Sequence, residues 1–164
     1  MVYKKIDVGL VGYAGAGKDT AAFRLMREGW HRKGFADLLK MRALDIGWDG
    51  SKDAKGRKLL QVIGCAVREY DPEFWVRQAI DRIDPRRPYV WTDVRFKNEA
   101  QAIRDIRKGI LVRVVNAACS SDGHVSETEL NDIVCDHQIV NDGSKEKLQQ
   151  QLLEIVKLYD RVES

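Results

Sequence analysis

Gly12 to Thr20 read GYAGAGKDT, which sets Gly12, Gly17 and Lys18 at the spacing G-x-x-x-x-G-K. Glycines so spaced let successive backbone N–H groups turn inward around phosphate oxygens, in conformations that a Cβ would obstruct. A helix opening at the same point adds the positive end of its dipole. Lys18 supplies a mobile point charge that can reach the β- and γ-phosphates of a nucleoside triphosphate. The candidate ATP-phosphate residues are therefore Gly12, Ala14, Gly15, Ala16, Gly17, Lys18, Asp19 and Thr20. A mere glycine-rich turn between strand and helix would need neither the lysine nor the register. One position departs from the common pattern: Asp19 stands where Ser or Thr usually offers a hydroxyl to magnesium, and Thr20 follows it. Asp19 suits magnesium or its waters, and it equally suits a first helical turn, where the dipole favours an acid.

A phosphate loop says that a nucleotide binds, and its partners decide the reaction. Asp93 ends the apolar run YVWTD, at the carboxyl edge of a strand where ligands bind in parallel sheets. There it could hold magnesium through water, orient a substrate, or cap the next turn. Arg95 follows with a planar guanidinium suited to phosphate or carboxylate, and a surface salt bridge is its plainer use.

The elements that must position these groups alternate. Ile6–Val11, Tyr89–Asp93, Ile110–Val115 and His137–Val140 are short, apolar or β-branched runs, and read as strands. Lys18–Arg27, Asn98–Lys108 and Lys145–Arg161 read as helices, the last with Leu148, Leu152, Ile155, Val156 and Tyr159 on one face. Asn98, with Gln101 in the capping-box position, and Ser144 are the expected caps, and Gly109 the left-handed stop. The pattern predicts an α/β chain of the phosphate-loop type: a mostly parallel sheet with helices on both faces, in three α/β/α layers. Residues 30–86 interrupt the rhythm with helices at Lys58–Tyr70 and Pro72–Ile83, the second capped by Asp71, and with the loop Gly47–Gly56. They read as an elaboration within a single domain spanning 1–164.

Twenty-eight basic against twenty-five acidic residues give a net charge of +3, too small to imply a nucleic-acid partner by itself. No apolar run approaches the ~20 residues of a membrane span, and the amino-terminal apolar stretch is broken by glycines and Lys18. The expectation is a soluble, cytoplasmic chain in which Cys65, Cys119 and Cys135 stay reduced.

GYAGAGKDT, FADLLK (35–40), LLQVIG (59–64), DPEFW (71–75), DVRFKNEA (93–100), HVSE (124–127) and VNDGS (140–144) stand in an order and approximate spacing that resembles bacteriophage deoxynucleoside monophosphate kinases. The resemblance runs over nearly the whole chain, and G-K-D-T and D-V-R-F-x-N-E are its most specific parts. It implies a phosphate-loop kinase that passes the γ-phosphate of ATP to a deoxynucleoside monophosphate with Mg2+, acting in an infected bacterial host. It puts the ATP phosphates on Gly15, Gly17, Lys18 and Thr20, and the acceptor among residues 35–95. Lys40, Arg68 and Arg95 are then the grips on the acceptor phosphate, Trp75 a stacking surface or core, and Asp37 a sugar contact or a helix cap. Lys18, Arg95 and Asp93 are the expected catalytic residues, with Asp19 and Asp93 as magnesium candidates.

Residues 116–135 fall where such kinases carry a lid, here short and without arginine, so transition-state arginines would come from Arg68 or Arg95. Ser126 and Glu129 can form a capping box for a short helix ending near Cys135. Cys119, His124, Cys135 and His137 invite zinc, but C-x4-H with C-x-H is not a usual pairing, and no zinc is expected. Two other functions share these motifs. One is a phosphate-loop kinase for another small acceptor, of the phosphomevalonate or dephospho-coenzyme A type. The other is a non-catalytic module binding nucleotide, or nucleic acid through Lys52–Lys58 and Arg86–Arg87. A homo-oligomer is compatible with either.

Overall fold

The strands, in chain order, are β1 (Tyr3–Lys4), β2 (Val8–Val11), β3 (His31–Lys33), β4 (Tyr89–Val94), β5 (Ile110–Val115), β6 (His137–Val140) and β7 (Arg161–Val162). The helices are α1 (Lys18–Arg27), α2 (Asp37–Asp45), α3 (Ala54–Tyr70), α4 (Phe74–Ile80), α5 (Lys97–Asp105) and α6 (Lys145–Lys157). This computed structural model describes residues 3–120, 123, 128–159, 161 and 162. Its chain forms two compact units, one from the segments up to Lys33 and from Asp84 onward, the other Gly34–Ile83, within the 30–86 segment.

In the first unit five strands pair in the order β3-β4-β2-β5-β6, all parallel. Alternation along each strand sorts the apolar side chains onto two faces. Val8, Leu10, Val90, Ile110, Val112, Val114 and Ile139 form one core with Ala21, Ala22 and Leu25 of α1 and Leu148, Leu152, Leu153 and Val156 of α6. On the opposite face α5 packs on β2 and β5. Contact is closest at Gly9, where a Cβ would stand 2.7 Å from both Ile103 and Leu111 side chains. Helices thus cover both faces of a parallel sheet, the expected three layers. At the amino ends of β2 and β4, the Asp7 carboxylate accepts the Tyr89 N–H at 3.0 Å and the Trp91 indole N–H at 2.9 Å. β1 and β7 form a separate two-stranded antiparallel pair.

Several element ends differ from expectation. α5 begins before Asn98, and its capping acid is Glu99 in place of Gln101, because the Glu99 carboxylate reaches the Phe96 N–H at 3.2 Å. The left-handed residue after α5 is Lys108 (φ 54°), not Gly109. α6 stops at Lys157, and Arg161 lies in β7; its Ser144 cap is as expected, accepting the Lys147 N–H at 3.1 Å.

In the second unit α3 starts sooner than Lys58 because Asp53 caps it, accepting the Gly56 N–H at 2.8 Å. α4 spans less than Pro72–Ile83, and Asp71 closes the turn before it by accepting the Glu73 N–H and pairing with Arg77 at 2.6 Å. Periodicity predicts neither α2 nor β3; of α2 only the cap reading of Asp37 gives a hint.

Candidate active site

The phosphate loop leaves β2 at the carboxyl edge of the sheet and turns into α1. Gly12 is required by close approach: a Cβ there would lie 2.5 Å from the Val114 carbonyl oxygen of β5. Gly17, the residue before α1, takes the left-handed conformation (φ 105°), which any Cβ would strain. No side chain caps α1 at Gly17. Its first turn therefore keeps the anion-binding character of an uncapped helix start.

Lys18 is nearly buried, at 8 % exposure, and its ammonium donates to the Gly12 carbonyl at 2.6 Å and the Tyr13 carbonyl at 2.7 Å. Those carbonyls hold the charge inside the loop it serves. Two side chains that the sequence reading did not single out brace this loop. Asn141 of the VNDGS segment donates its Nδ2–H to the Ala16 carbonyl at 3.0 Å, and Tyr13 O–H donates to Asn131 Oδ1 at 2.6 Å. Ala14 and Gly15 form the exposed crest, while Ala16 is buried.

β4 lies directly beside β2, which brings Asp93 and Arg95, both half-buried, to the same edge of the sheet. From Gly9 to Val11 in β2 the partner strand advances from Trp91 to Val94, so β4 carries an extra residue at Thr92–Asp93. Such bulges re-aim side chains at functional edges. Thr92 is 3 % exposed, and its hydroxyl meets no hydrogen-bond partner among the described residues. After the strand, Glu99 accepts the Arg95 N–H at 2.8 Å.

Asp19 is exposed on the first turn of α1. With Thr20, Phe23, Arg27 and Lys145 it lines an open groove of about 690 Å³ between α1 and α6.

The second unit holds the other acceptor candidates. Asp37 opens α2, and its carboxylate accepts the Gly34 N–H at 2.8 Å. Lys40 is half-buried on the same helix, with no ion-pair partner among the described residues. Arg68 lies along α3 over Gly64. Trp75 is a correction: at 4 % exposure it packs with Leu38 and Leu39, its indole N–H donates to the Gly64 carbonyl at 3.2 Å, and Phe74 meets its ring edge-on. A ring so enclosed is core and offers no face to a base.

After β5, Glu129–Asp132 form a short 3₁₀ turn; Ser126, the expected cap of a short helix here, and His124 lie outside the described residues. His137 Nε2 hydrogen-bonds Tyr159 O–H at 2.7 Å, and burial pushes the Cys135 thiol up from its ordinary value. No cluster of three His, Cys, Asp or Glu able to hold a metal occurs among the described residues. No helix among them is long and apolar enough to cross a membrane. The basic pair Arg86–Arg87 is drawn onto Asp84, at 3.0 and 3.5 Å.

The family model for deoxynucleotide monophosphate kinase matches residues 48–152, which include Asp93 and Arg95 but not the phosphate loop. A candidate deoxynucleotide monophosphate kinase of Acanthamoeba polyphaga mimivirus is 30 % identical over 185 residues, covering 91 % of this chain and 95 % of that protein. Uncharacterized protein ORF77 of Ictalurid herpesvirus 1 (strain Auburn) is 30 % identical over 153 residues, covering 86 % of this chain and 66 % of that protein. Among solved structures, shikimate kinase from Aquifex aeolicus vf5 is similar with a TM-score of 0.51 at 14 % identity, covering 94 % of this chain and 98 % of that one, a likeness of fold.

Proposed function

The chain belongs to the deoxynucleotide monophosphate kinase family, and we propose on that premise that it transfers the γ-phosphate of ATP to a deoxynucleoside monophosphate, giving the diphosphate and ADP. The observation that carries this reading is the Lys18 ammonium, held on two loop carbonyls at an uncapped helix start beside the strand that bears Asp93 and leads to Arg95. Phosphoryl transfer asks a protein for positioning and for compensation of charge more than for covalent chemistry. Lys18 can exchange its carbonyl partners for the β- and γ-phosphate oxygens and follow the migrating charge. Arg95 can grip two oxygens of the acceptor phosphate, fixing direction as well as distance. Asp37, Lys40 and Arg68, all in the second unit, are proposed as further acceptor-binding residues on the sequence resemblance.

Magnesium fits the residues present. Asp93, Asp19, Thr20 and the orphaned Thr92 hydroxyl are hard oxygen donors, and magnesium usually takes only one or two carboxylates while phosphates and water fill its shell. Bound there, it would supply neutralisation of phosphate charge. Asp93, or alternatively Asp19, would hold it.

The two named relatives belong to viruses of eukaryotes. A bacteriophage source, and work in the cytoplasm of an infected bacterium, rest on the sequence resemblance. The test is coupled ADP release with each common deoxynucleoside and ribonucleoside monophosphate in turn. Release that depends on one or more deoxynucleotides supports the proposal. Release only with a different small acceptor, or ATP binding with no acceptor-dependent release, replaces it with one of the alternatives.

A further inference from the structure

We infer that Glu99 is a positioning residue for Arg95, assisted by Glu129. The turn between β4 and α5 presents three successive backbone N–H groups, and two carboxylates from different segments take all three. Glu99 Oε2 accepts from Arg95 at 2.8 Å and from Phe96 at 3.2 Å, and Glu129 Oε2 accepts from Lys97 at 2.9 Å. The Lys97 ammonium adds an ion pair to Asp132 at 3.0 Å, so the 3₁₀ turn is fastened to the same point.

Capping alone does not require this arrangement. A helix start is satisfied by an exposed Ser, Thr or Asn, whereas Glu99 is 2 % exposed, and a buried carboxylate is costly unless its bonds are well made. What the buried acid adds is a bond to Arg95 itself, one residue before the helix-entry residue Phe96, which fixes the peptide plane from which the guanidinium extends. Fixing that plane fixes the Arg95 Cα from which the side chain extends. A misplacement of about 1 Å at such a grip can cost ~10²-fold in rate. The D-V-R-F-x-N-E segment then has a physical reading: the arginine and the acid four residues later are one device, grip and mount.

This inference rests on the reading that Arg95 holds the acceptor phosphate, and a double-mutant cycle separates the two. Steady-state kinetics toward ATP and acceptor, with melting temperature, would be measured for Glu99→Ala, Glu99→Gln, Arg95→Ala and the two double variants. We expect Glu99→Ala to raise the acceptor KM about 10-fold with less than about 2-fold change in the ATP KM, and Glu99→Gln, which keeps an accepting oxygen, to recover to within about 3-fold. In the Arg95→Ala background either Glu99 change should add less than about 2-fold. Should Glu99→Ala not fold, the Glu99→Gln arm carries the cycle. Additive effects, or equal loss toward both substrates in step with melting temperature, would overturn the inference while leaving Arg95 as the grip. An Arg95→Ala enzyme with unchanged acceptor kinetics would overturn both.

Discussion

Arg107 grips Asp7 with two bonds, Nε–H to Oδ2 at 2.8 Å and Nη2–H to Oδ1 at 3.1 Å, with the two side chains only 9 % and 3 % exposed. The same carboxylate accepts from Tyr89 and Trp91, and the guanidinium also donates to the Arg87 carbonyl at 2.7 Å. Asp7 precedes β2 and Tyr89 opens β4, so one ion pair joins the amino ends of the two strands whose carboxyl ends lead to the phosphate loop and to Asp93. This enclosed ion pair therefore lies at the edge of the sheet opposite the proposed site.

Arg107→Ala should leave the Asp7 charge buried with half its donors gone, a loss of about 3–5 kcal/mol by analogy with other broken buried pairs. Urea unfolding measures it. Activity per folded molecule should be unchanged, because no group of the proposed site is touched. A destabilisation below about 1 kcal/mol, the range of exposed pairs, would show that water reaches the pair.

Lys18→Ala should lower turnover by at least ~10²-fold, the scale of losing a preorganised donor to developing charge. Folding should survive, since the variant also relieves the chain of a desolvated ammonium. The measurement is acceptor-dependent ADP release on protein whose circular dichroism matches the parent. Near-normal turnover would remove Lys18, and with it the phosphate-loop assignment.

How far the sequence discloses this fold depends on where local signals agree with tertiary ones. β5 and β6 are apolar, β-branched or bounded by turn residues, and both run over the predicted residues. β3 is HRK, three polar residues on an exposed edge, and owes its conformation to backbone pairing with β4, which leaves no trace in hydropathy. α2 has no capping side chain, Met41 and Leu44 are exposed among its apolar residues, and Ile46 is exposed just past its end, so its pattern does not resolve into one face. At α5 the frame of the cap was misjudged: Asn98 is a good cap by type, but the buried Glu99 wins because its carboxylate meets two N–H groups at once. The phosphate loop was legible because its chemistry is local. The braces on that loop were not, since Asn131 and Asn141 are far from it in sequence. Trp75, a stacking surface or core by its sequence, is decided only by packing, which encloses it with Leu38 and Leu39.

Asp84 gives a pH signature. The Arg86 side chain and backbone N–H, aided by Arg87, hold its carboxyl down from 3.8 to about 2 in the turn before β4, where the Asp84 N–H also donates to the Tyr89 hydroxyl oxygen at 3.1 Å. Because the folded value is depressed, the contribution of this carboxylate to stability is complete above the ordinary value and is lost as pH falls through the folded one. The melting difference between the parent and Asp84→Asn should thus be constant above about pH 5 and shrink below about pH 4. Carbon-detected titration of the Asp84 carboxyl, with a midpoint near 2 expected, checks the cause directly. A midpoint near 3.8 would mean that the arginines do not hold it in solution.

The two magnesium candidates, Asp93 and Asp19, differ in setting, and the difference sets the expectation. Asp93 is half-buried at the carboxyl end of β4, next to the orphaned Thr92 hydroxyl and one strand from the phosphate loop. Asp19 is exposed on α1 and lines the groove toward α6. A carboxylate that holds a hydrated cation against phosphate needs a fixed place and partial shielding, so Asp93 is favoured, and the first-turn dipole already accounts for Asp19. Asp93→Asn keeps the shape and loses the charge. It should raise the magnesium concentration for half-maximal rate by about 10-fold or more, whereas Asp19→Asn should shift it less than about 3-fold. Calorimetric titration of ATP with and without magnesium supplies a readout apart from turnover: the gain in affinity that magnesium brings should fall in the Asp93 variant and persist in the Asp19 variant. The opposite pattern would move the cation to α1, and no change in either would remove both carboxylates from its shell.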